Sequence, residues 1–293
     1  MKETICFVIN EFSNSSRAGS FIRESETAIN TVFDSSSFFY IQHLSEMDEI
    51  IEQAVNSFDI IVACGGDGTI QSVAKQVFHA GKILGVIPLG SGNDFAKSIG
   101  IKCGKDIYYY LNILQRCKTS EIDFPSVNDM LFLNTVGIGF DGLTNSYAQK
   151  MKGITGGLRY TIAGIKAFFV AKPFSVSIQA LDIGFSENIW MLVIANGSIE
   201  GGKFRVSPNS INTDGRVELV IFPAFNRIKL GLAFIQLSFG KELNSTYYKS
   251  ISVQKAQLSF PSIPTAHSDG ELIHIGTKVE LTLLDRQIRA IVA

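Results

Sequence analysis

Ile61-Val62-Ala63-Cys64-Gly65-Gly66-Asp67-Gly68-Thr69-Ile70 runs from an apolar strand, through a glycine turn, into the start of a helix. A continuous apolar run with β-branched residues suits a strand covered on both faces of a parallel sheet. The glycines remove Cβ atoms where backbone must approach a ligand, and they permit positive φ. Thr69 reads as the helix N-cap, and the N–H groups and dipole at a helix start suit an anion. The pattern returns one unit later in Ile87-Pro88-Leu89-Gly90-Ser91-Gly92-Asn93-Asp94-Phe95. Two such turns in successive units point to an anion site outside the carboxyl ends of parallel strands. Each turn also carries a carboxylate, Asp67 or Asp94, which repels phosphate unless a cation intervenes. Mg²⁺, or a basic residue such as Arg17 or Lys97, is the expected cation.

Outward from these turns the first 122 residues alternate strand and helix signals. Ile5 to Ile9 is a short strand followed by a Ser/Asn-rich loop from Asn10 to Ser20, and Phe38 to Leu44 is a second strand. Met47, Ile50, Ile51, Ala54, Val55 and Phe58 fall at helical spacing. Ile70, Val73, Ala74, Val77 and Phe78 mark the next helix, and Ile83 to Ile87 the next strand. Alternation of this kind predicts an open, largely parallel α/β sheet. From about Asp123 β-rich runs dominate: Leu131 to Val136, Phe174 to Leu181, Ile189 to Ile194, Val217 to Phe222, Ile251 to Phe260, Leu272 to Ile275, Val279 to Leu284 and Ile288 to Val292. Only Leu158 to Phe169 and Arg227 to Leu237 read as helices there. The fold class is therefore an α/β nucleotide-binding domain over residues 1–122, then a mostly antiparallel β-sandwich domain over 123–293.

Composition narrows the function. The 293 residues are 46% hydrophobic and 18% charged with a net charge of −1, so a polybasic footprint for nucleic acid, or for strong attraction to an anionic membrane, is absent. The four cysteines show no metal spacing; Cys6 and Cys64 sit in apolar runs as small hydrophobes, which fits a reducing compartment. The start, Met1-Lys2-Glu3-Thr4-Ile5, lacks a signal-peptide stretch. Ile154 to Val170, the most apolar helical segment, is interrupted by Arg159 and Lys166 and is too short to span a bilayer. A cytoplasmic protein with at most peripheral membrane contact is expected. The 22 Phe read as core. No G-x-x-x-x-G-K-[ST] is present, which excludes a P-loop enzyme. Gly137-Ile138-Gly139-Phe140-Asp141-Gly142 matches G-x-G-x-x-G but lies in the β-rich half, and it reads as a turn.

These motifs resemble the diacylglycerol kinase catalytic domain, in the form of the bacterial soluble lipid kinases. Gly65-Gly66-Asp67-Gly68-Thr69 resembles that family's nucleotide loop, and Pro88-Leu89-Gly90-Ser91-Gly92-Asn93-Asp94-Phe95-Ala96 its second motif. The likeness continues through Ile122-Asp123, Gly139-Phe140-Asp141, Gly201-Gly202-Lys203 with Pro208, Asp214-Gly215 and Asp269-Gly270-Glu271. It departs where the family's first loop has Asn-Pro-x-Ser-Gly and this chain has Asn10-Glu11-Phe12-Ser13-Asn14, and again at Gln71 and Ser72.

The resemblance implies transfer of the γ-phosphoryl group of ATP, with Mg²⁺, to a hydroxyl of a diacylglycerol-like, phosphatidylglycerol-like or sphingoid lipid. It implies that Asp269 or Glu271 is the general base, and that Asp214 holds a structural Mg²⁺. It also implies that Asn10, Arg17, Gly65, Gly66, Asp67, Gly68, Thr69, Ser91, Asn93, Asp94 and Asp123 surround the nucleotide and its metal. His267 reads as a bystander, and a homodimer is compatible with the family. An NAD kinase shares the Gly-Gly-Asp-Gly-Thr loop but carries Asn-Thr-Gly in place of the second motif. A nucleotide- or lipid-binding protein without turnover would have no use for Asp67, Asp94, Asp214, Asp269 and Glu271 together.

Overall fold

The computed structural model describes residues 3–34, 36–151, 153, 156–181, 183–241 and 243–293. Met1 and Lys2 of the N-terminal reading, and Ile154 of the apolar segment, lie outside the described residues. The chain forms two compact units, residues 1–122 with 286–293, and residues 123–285.

The first unit follows the alternation in the sequence: β1 (Ile5–Asn10), α1 (Ser13–Val32), β2 (Ser37–Ile41), α2 (Met47–Ser57), β3 (Ile60–Gly65), α3 (Asp67–Ala80), β4 (Ile83–Pro88), α4 (Asp94–Ser98), α5 (Ile107–Arg116) and β5 (Thr119–Ile122). Strands β1, β3 and β4 are buried along their whole length, as continuous apolar runs require. They pair in parallel in the order β2-β1-β3-β4, which brings the ends of β3 and β4 side by side with Gly65 opposite Pro88. The expected loop from Asn10 to Ser20 is helical from Ser13 onward. Its buried positions, Ala18, Ile22 and Ile29, are diluted by serines and polar residues that hide the helical period. Helix α5 opens on Asp106, whose Oδ1 accepts the Tyr109 N–H at 3.0 Å.

The expected membership of the last strand is corrected. β17 (Ile288–Ile291) joins the first sheet, parallel to β4 and antiparallel to β5. Ile288, Ala290 and Ile291 are buried there. The alternation in Ile288-Arg289-Ala290-Ile291 identifies a strand but carries no information about which sheet it enters.

The second unit contains β6 (Pro125–Val127), β7 (Met130–Leu131), β8 (Thr135–Gly139), α6 (Phe140–Gln149), α7 (Gly156–Val170), β9 (Phe174–Ala180), β10 (Ile183–Ala195), β11 (Val217–Pro223), α8 (Arg227–Ser238), β12 (Lys249–Val253), β13 (Lys255–Ser259), β14 (Ala266–Ser268), β15 (Glu271–Ile273) and β16 (Lys278–Leu283). Its strands pair antiparallel in a curled, sandwich-like sheet. One core, with Phe132, Ile138, Ile178 and Leu281, fills the sheet's inner face. A second, with Trp190, Phe222, Leu230 and Leu237, lies between β10, β11 and the helices.

The end of β8 and the start of α6 stand where Gly137 to Gly142 read as a turn. A Cβ on Gly137 would lie 2.1 Å from Asp141 Oδ2 and 2.3 Å from His267 Nε2, and one on Gly142 would lie 2.2 Å from the Thr265 carbonyl. Those glycines let α6 approach β14; they serve packing within the protein.

Because β17 closes the gap between β4 and β5, truncating its fully buried Ile291 should destabilise the first unit. Ile291→Ala is expected to lower the unfolding free energy by about 2–5 kcal/mol in a urea melt, the usual cost of such a core truncation.

Candidate functional site

In the first unit the two glycine turns touch. A Cβ on Gly90 would lie 2.4 Å from Gly66 Cα, and one on Gly66 would lie 3.2 Å from Gly90 Cα. The missing side chains therefore allow the turns to approach one another. Gly68 differs, since a Cβ there meets nothing within 4 Å. Asp67 fastens the contact: Oδ2 accepts the Asn93 N–H at 2.6 Å and Oδ1 the Asp94 N–H at 2.7 Å. Burial raises the Asp67 pKa and these backbone N–H groups oppose the rise. This arrangement explains the carboxylate in a phosphate-type turn without a metal, since both oxygens already accept backbone amides.

Asn93 takes the left-handed conformation at φ 54° and bonds Gly90 twice, accepting from its N–H and donating to its carbonyl, each at 2.8 Å. Lys97 Nζ donates to the Gly92 carbonyl at 2.6 Å and lies 3.9 Å from Asp94 Oδ1. Asn10 Nδ2 donates to Thr69 Oγ1 at 2.9 Å. Thr69 is not the N-cap as expected; Gly66 holds that position and α3 begins at Asp67. Ser91 and Arg17 are exposed, Arg17 on the early turns of α1.

The second unit holds the remaining expected residues. Asp269, at φ 47°, accepts three backbone N–H groups: Leu133 at 2.8 Å on Oδ2, Asn134 at 2.8 Å and Thr135 at 2.9 Å on Oδ1. Glu271 is exposed, with Gln149 Nε2 at 3.4 Å. Buried Asp123 accepts the Gly215 N–H at 2.8 Å and donates its own N–H to the Asn212 carbonyl at 2.8 Å. Asp214 accepts the Arg216 N–H at 3.0 Å. Near it Glu218 is buried with an unpartnered Oε2, its pKa raised first by burial.

His267, read as a bystander, sits in a buried cluster with two carboxylates. It is fully buried, with Nε2 2.9 Å from Glu200 Oε1 and 3.2 Å from Asp141 Oδ2. Burial alone would depress the imidazole pKa, but the two carboxylates outweigh it and push it well above the ordinary value. Burial, with the Asp141 charge, pushes Glu200 up to about 7. Protons are therefore shared within this cluster near neutral pH. The three side chains lie within metal-ligand reach of one another. The Gly270 N–H lies 3.4 Å from His267 Nδ1 on the ring's other side.

Asp141, Glu200 and Thr144 line a small, mostly apolar cavity of about 50 Å³, walled by Tyr160, Phe204, Phe222, Leu230 and Phe234. Tyr160 Oη also reaches the acidic loop, 3.7 Å from where a Gly270 Cβ would sit.

A family model described as the diacylglycerol kinase catalytic domain matches residues 4–127. One described as the YegS C-terminal NAD kinase beta sandwich-like domain matches residues 134–282. The chain belongs to this lipid-kinase family. It is 28% identical over 223 residues to a "Diacylglycerol kinase" of Bacillus subtilis, covering 75% of this chain and 73% of that one. It is 32% identical over 180 residues to a "Probable lipid kinase YegS-like" of Klebsiella pneumoniae, covering 60% of this chain and 59% of the relative, under two thirds of its length. A solved diacylglycerol kinase from Bacillus anthracis superposes with a TM-score of 0.78 at 17% identity, covering 100% of this chain and 98% of that one. An NAD kinase from Archaeoglobus fulgidus superposes at 0.51 with 12% identity, covering 98% and 93%. At these identities the two structures speak for the fold alone.

Within this lipid-kinase family chain, Glu200 is the functional candidate that the sequence reading missed. It directly precedes the quoted Gly201-Gly202-Lys203 motif, but its meeting with His267 depends on strand pairing far apart in sequence. The shared protons give a signed expectation. Glu200's pKa rises from 4.5 to about 7 on folding, so its stabilisation is complete below pH 4.5 and lost as pH rises through 7. His267, raised above 6.5, acts in the same direction at higher pH. The melting temperature should therefore fall as pH rises from about 5 to about 8, and Glu200→Gln should flatten that slope. Thermal melts across pH check this; an equal slope in the variant would refute it.

Proposed function

We propose that the protein is an ATP- and Mg²⁺-dependent lipid kinase that phosphorylates a lipid hydroxyl. The observation that carries this reading is the apolar cavity in the second unit, capped by Asp141 and Glu200 and reaching the Asp269-Gly270-Glu271 loop through Tyr160. Apolar walls of this kind favour the hydrocarbon part of a lipid, and the carboxylates beside them its polar end. Phosphoryl transfer asks for positioning, charge neutralisation and a group to take the hydroxyl proton.

In this reading the Gly65–Thr69 and Gly90–Asp94 turns bind the nucleotide phosphates, with Gly68 at the point of closest approach and Lys97 supplying positive charge. Asp67 keeps the turns together. Glu271 accepts the proton, because both oxygens of Asp269 already hold the 133–135 backbone. The lipid oxygen then bonds to the γ-phosphorus as the bond to the departing ADP oxygen breaks. Bound Mg²⁺ would neutralise phosphate charge, and Asp214 with Glu218 would hold a second, structural ion. A dinucleotide ribose, the acceptor for an NAD kinase, would meet mostly apolar walls in this cavity, with Thr144 and Tyr160 the polar side chains beside the two carboxylates, which favours the lipid reading.

Labelled ATP with a panel of diacylglycerols, sphingoid bases and phosphatidylglycerol tests the activity; a panel without product sinks it. Glu271→Gln should lower kcat by about 10²-fold or more with the melting temperature unchanged. Asp269→Asn should lower the melting temperature too, since its amide nitrogen cannot accept backbone N–H groups. A stable, inactive Asp269→Asn beside an active Glu271→Gln would reverse the assignment. Gly68→Val should abolish ATP binding in calorimetry while leaving stability intact, whereas Gly90→Ala should cost stability as well.

A further inference from the structure

Three groups meet beside the Asp269-Gly270-Glu271 loop without satisfying one another. His267 is fully buried on β14, and its Nε2 stands 2.9 Å from Glu200 Oε1 and 3.2 Å from Asp141 Oδ2. Yet Nε2 makes a hydrogen bond to neither, and Asp141 Oδ2 and Glu200 Oε2 are buried without a hydrogen-bond partner as well. Buried polar atoms nearly always find partners, so three orphans around one point call for an occupant. Asn145, one turn further along the same face of α6 as Asp141, is 1% exposed and has no partner for either amide atom.

The fold holds these groups in place before any ligand arrives. Pairing of β14 with β8 sets His267 opposite Gly137, and Asp141 stands in the first turn of α6, just beyond β8. Glu200 is pinned by two backbone hydrogen bonds with Phe204, at 2.8 and 2.9 Å. Gly137 keeps the meeting point open, since a Cβ there would crowd both Asp141 Oδ2 and His267 Nε2. The donor set decides the occupant. Mg²⁺ takes oxygen ligands and keeps several waters, whereas an imidazole beside carboxylates suits Zn²⁺. Donors about 2.0–2.2 Å from one Zn²⁺ stand roughly 2.8–3.5 Å apart, which brackets both separations from Nε2. The Gly270 N–H, 3.4 Å from Nδ1, is too distant to fix the ring in one tautomer. Three protein ligands leave a fourth position, and the cavity of about 50 Å³ that Asp141 and Glu200 line has room for a water to fill it.

We propose that Asp141, Glu200 and His267 bind one Zn²⁺ ion, at a site separate from the Mg²⁺ that serves the nucleotide. Its fourth position faces the cavity, where an oxygen of a bound molecule can replace water. That this molecule is a lipid alcohol rests on the kinase reading, while the metal site itself does not.

Full-length protein stripped with a chelator and titrated with Zn²⁺ in a calorimeter, in excess Mg²⁺, should bind one ion per chain. Partners outside the ligand shell are worth about 10–100-fold in metal affinity, so Glu200→Gln and His267→Gln should each weaken binding by about 10²-fold or more. His274→Gln, at an exposed histidine, should bind as wild type does. Both ligand variants alter buried groups, so the wild type supplies a check that needs no variant. A crystal soaked in Zn²⁺ should show anomalous scattering within about 2.0–2.2 Å of His267 Nε2 and of an oxygen from each carboxylate. No Zn²⁺ uptake, an ion found at the cysteines instead, displacement by Mg²⁺, or ligand variants that bind as tightly as wild type would each overturn the proposal. A lipid kinase assay separates the two readings. Zn²⁺ bound with no lipid phosphorylated would leave the metal site standing and remove the kinase reading, and phosphorylation without Zn²⁺ uptake would do the reverse.

Discussion

A carboxylate that accepts backbone N–H groups from a distant turn is the device on which both units depend. Asp67 holds Asn93 and Asp94 in the first, and Asp269 holds Leu133, Asn134 and Thr135 in the second. Asp123 uses the same device on Gly215. Charge-assisted bonds of this type are short and strong, and the low dielectric of a buried site strengthens them. It also makes them obligatory, since a buried carboxylate without donors would carry its full desolvation cost. Acids that read as chemical groups in the sequence are thus in part geometric ones. Their first effect is to set where loops lie, and any chemistry follows from that placement.

The same constraint explains the glycines. Asp67 can reach two consecutive amides of the second turn only if the turns come into van der Waals contact, and Gly66 and Gly90 permit it. Gly92 adds to the requirement, since a Cβ there would lie 2.6 Å from Asp67 Oδ2. One motif therefore encodes two needs, an N–H-rich turn open at Gly68 and a closed contact at Gly66. A sequence pattern records both as glycine and cannot separate them.

What was legible follows from the range of the interactions. Buried strands such as Ile60–Gly65 and the helix Met47–Ser57 announce themselves through local periodicity, and the parallel-then-antiparallel order followed from it. The entry of Ile288–Ile291 into the first sheet was not legible, because pairing choice is non-local. Helix α6 was hidden because glycines on either side of its start, Gly137 in β8 and Gly142 in its first turn, serve the contact with β14. The Asp141–His267–Glu200 cluster needs β14 to lie beside β8, with His267 opposite Gly137, and a third residue from the loop after β10. Each residue stands in or next to a quoted motif, yet no spacing along the chain expresses their meeting.

Helix α7 shows why apolar surface is harder still to read. Composition assigns its large residues to a core, but Ala163, Gly164 and Ala167 face inward while Leu158, Ile165 and Phe169 face out. Folding driven by burial alone would place the larger side chains inside, because each gains roughly in proportion to the area it removes from water. The inversion has a steric reason on the inner side, where Phe234 presses on Gly164 and leaves no room for a larger residue. On the outer side nothing in the fold requires Leu, Ile or Phe, and polar residues would be the ordinary choice for a helix in contact with water.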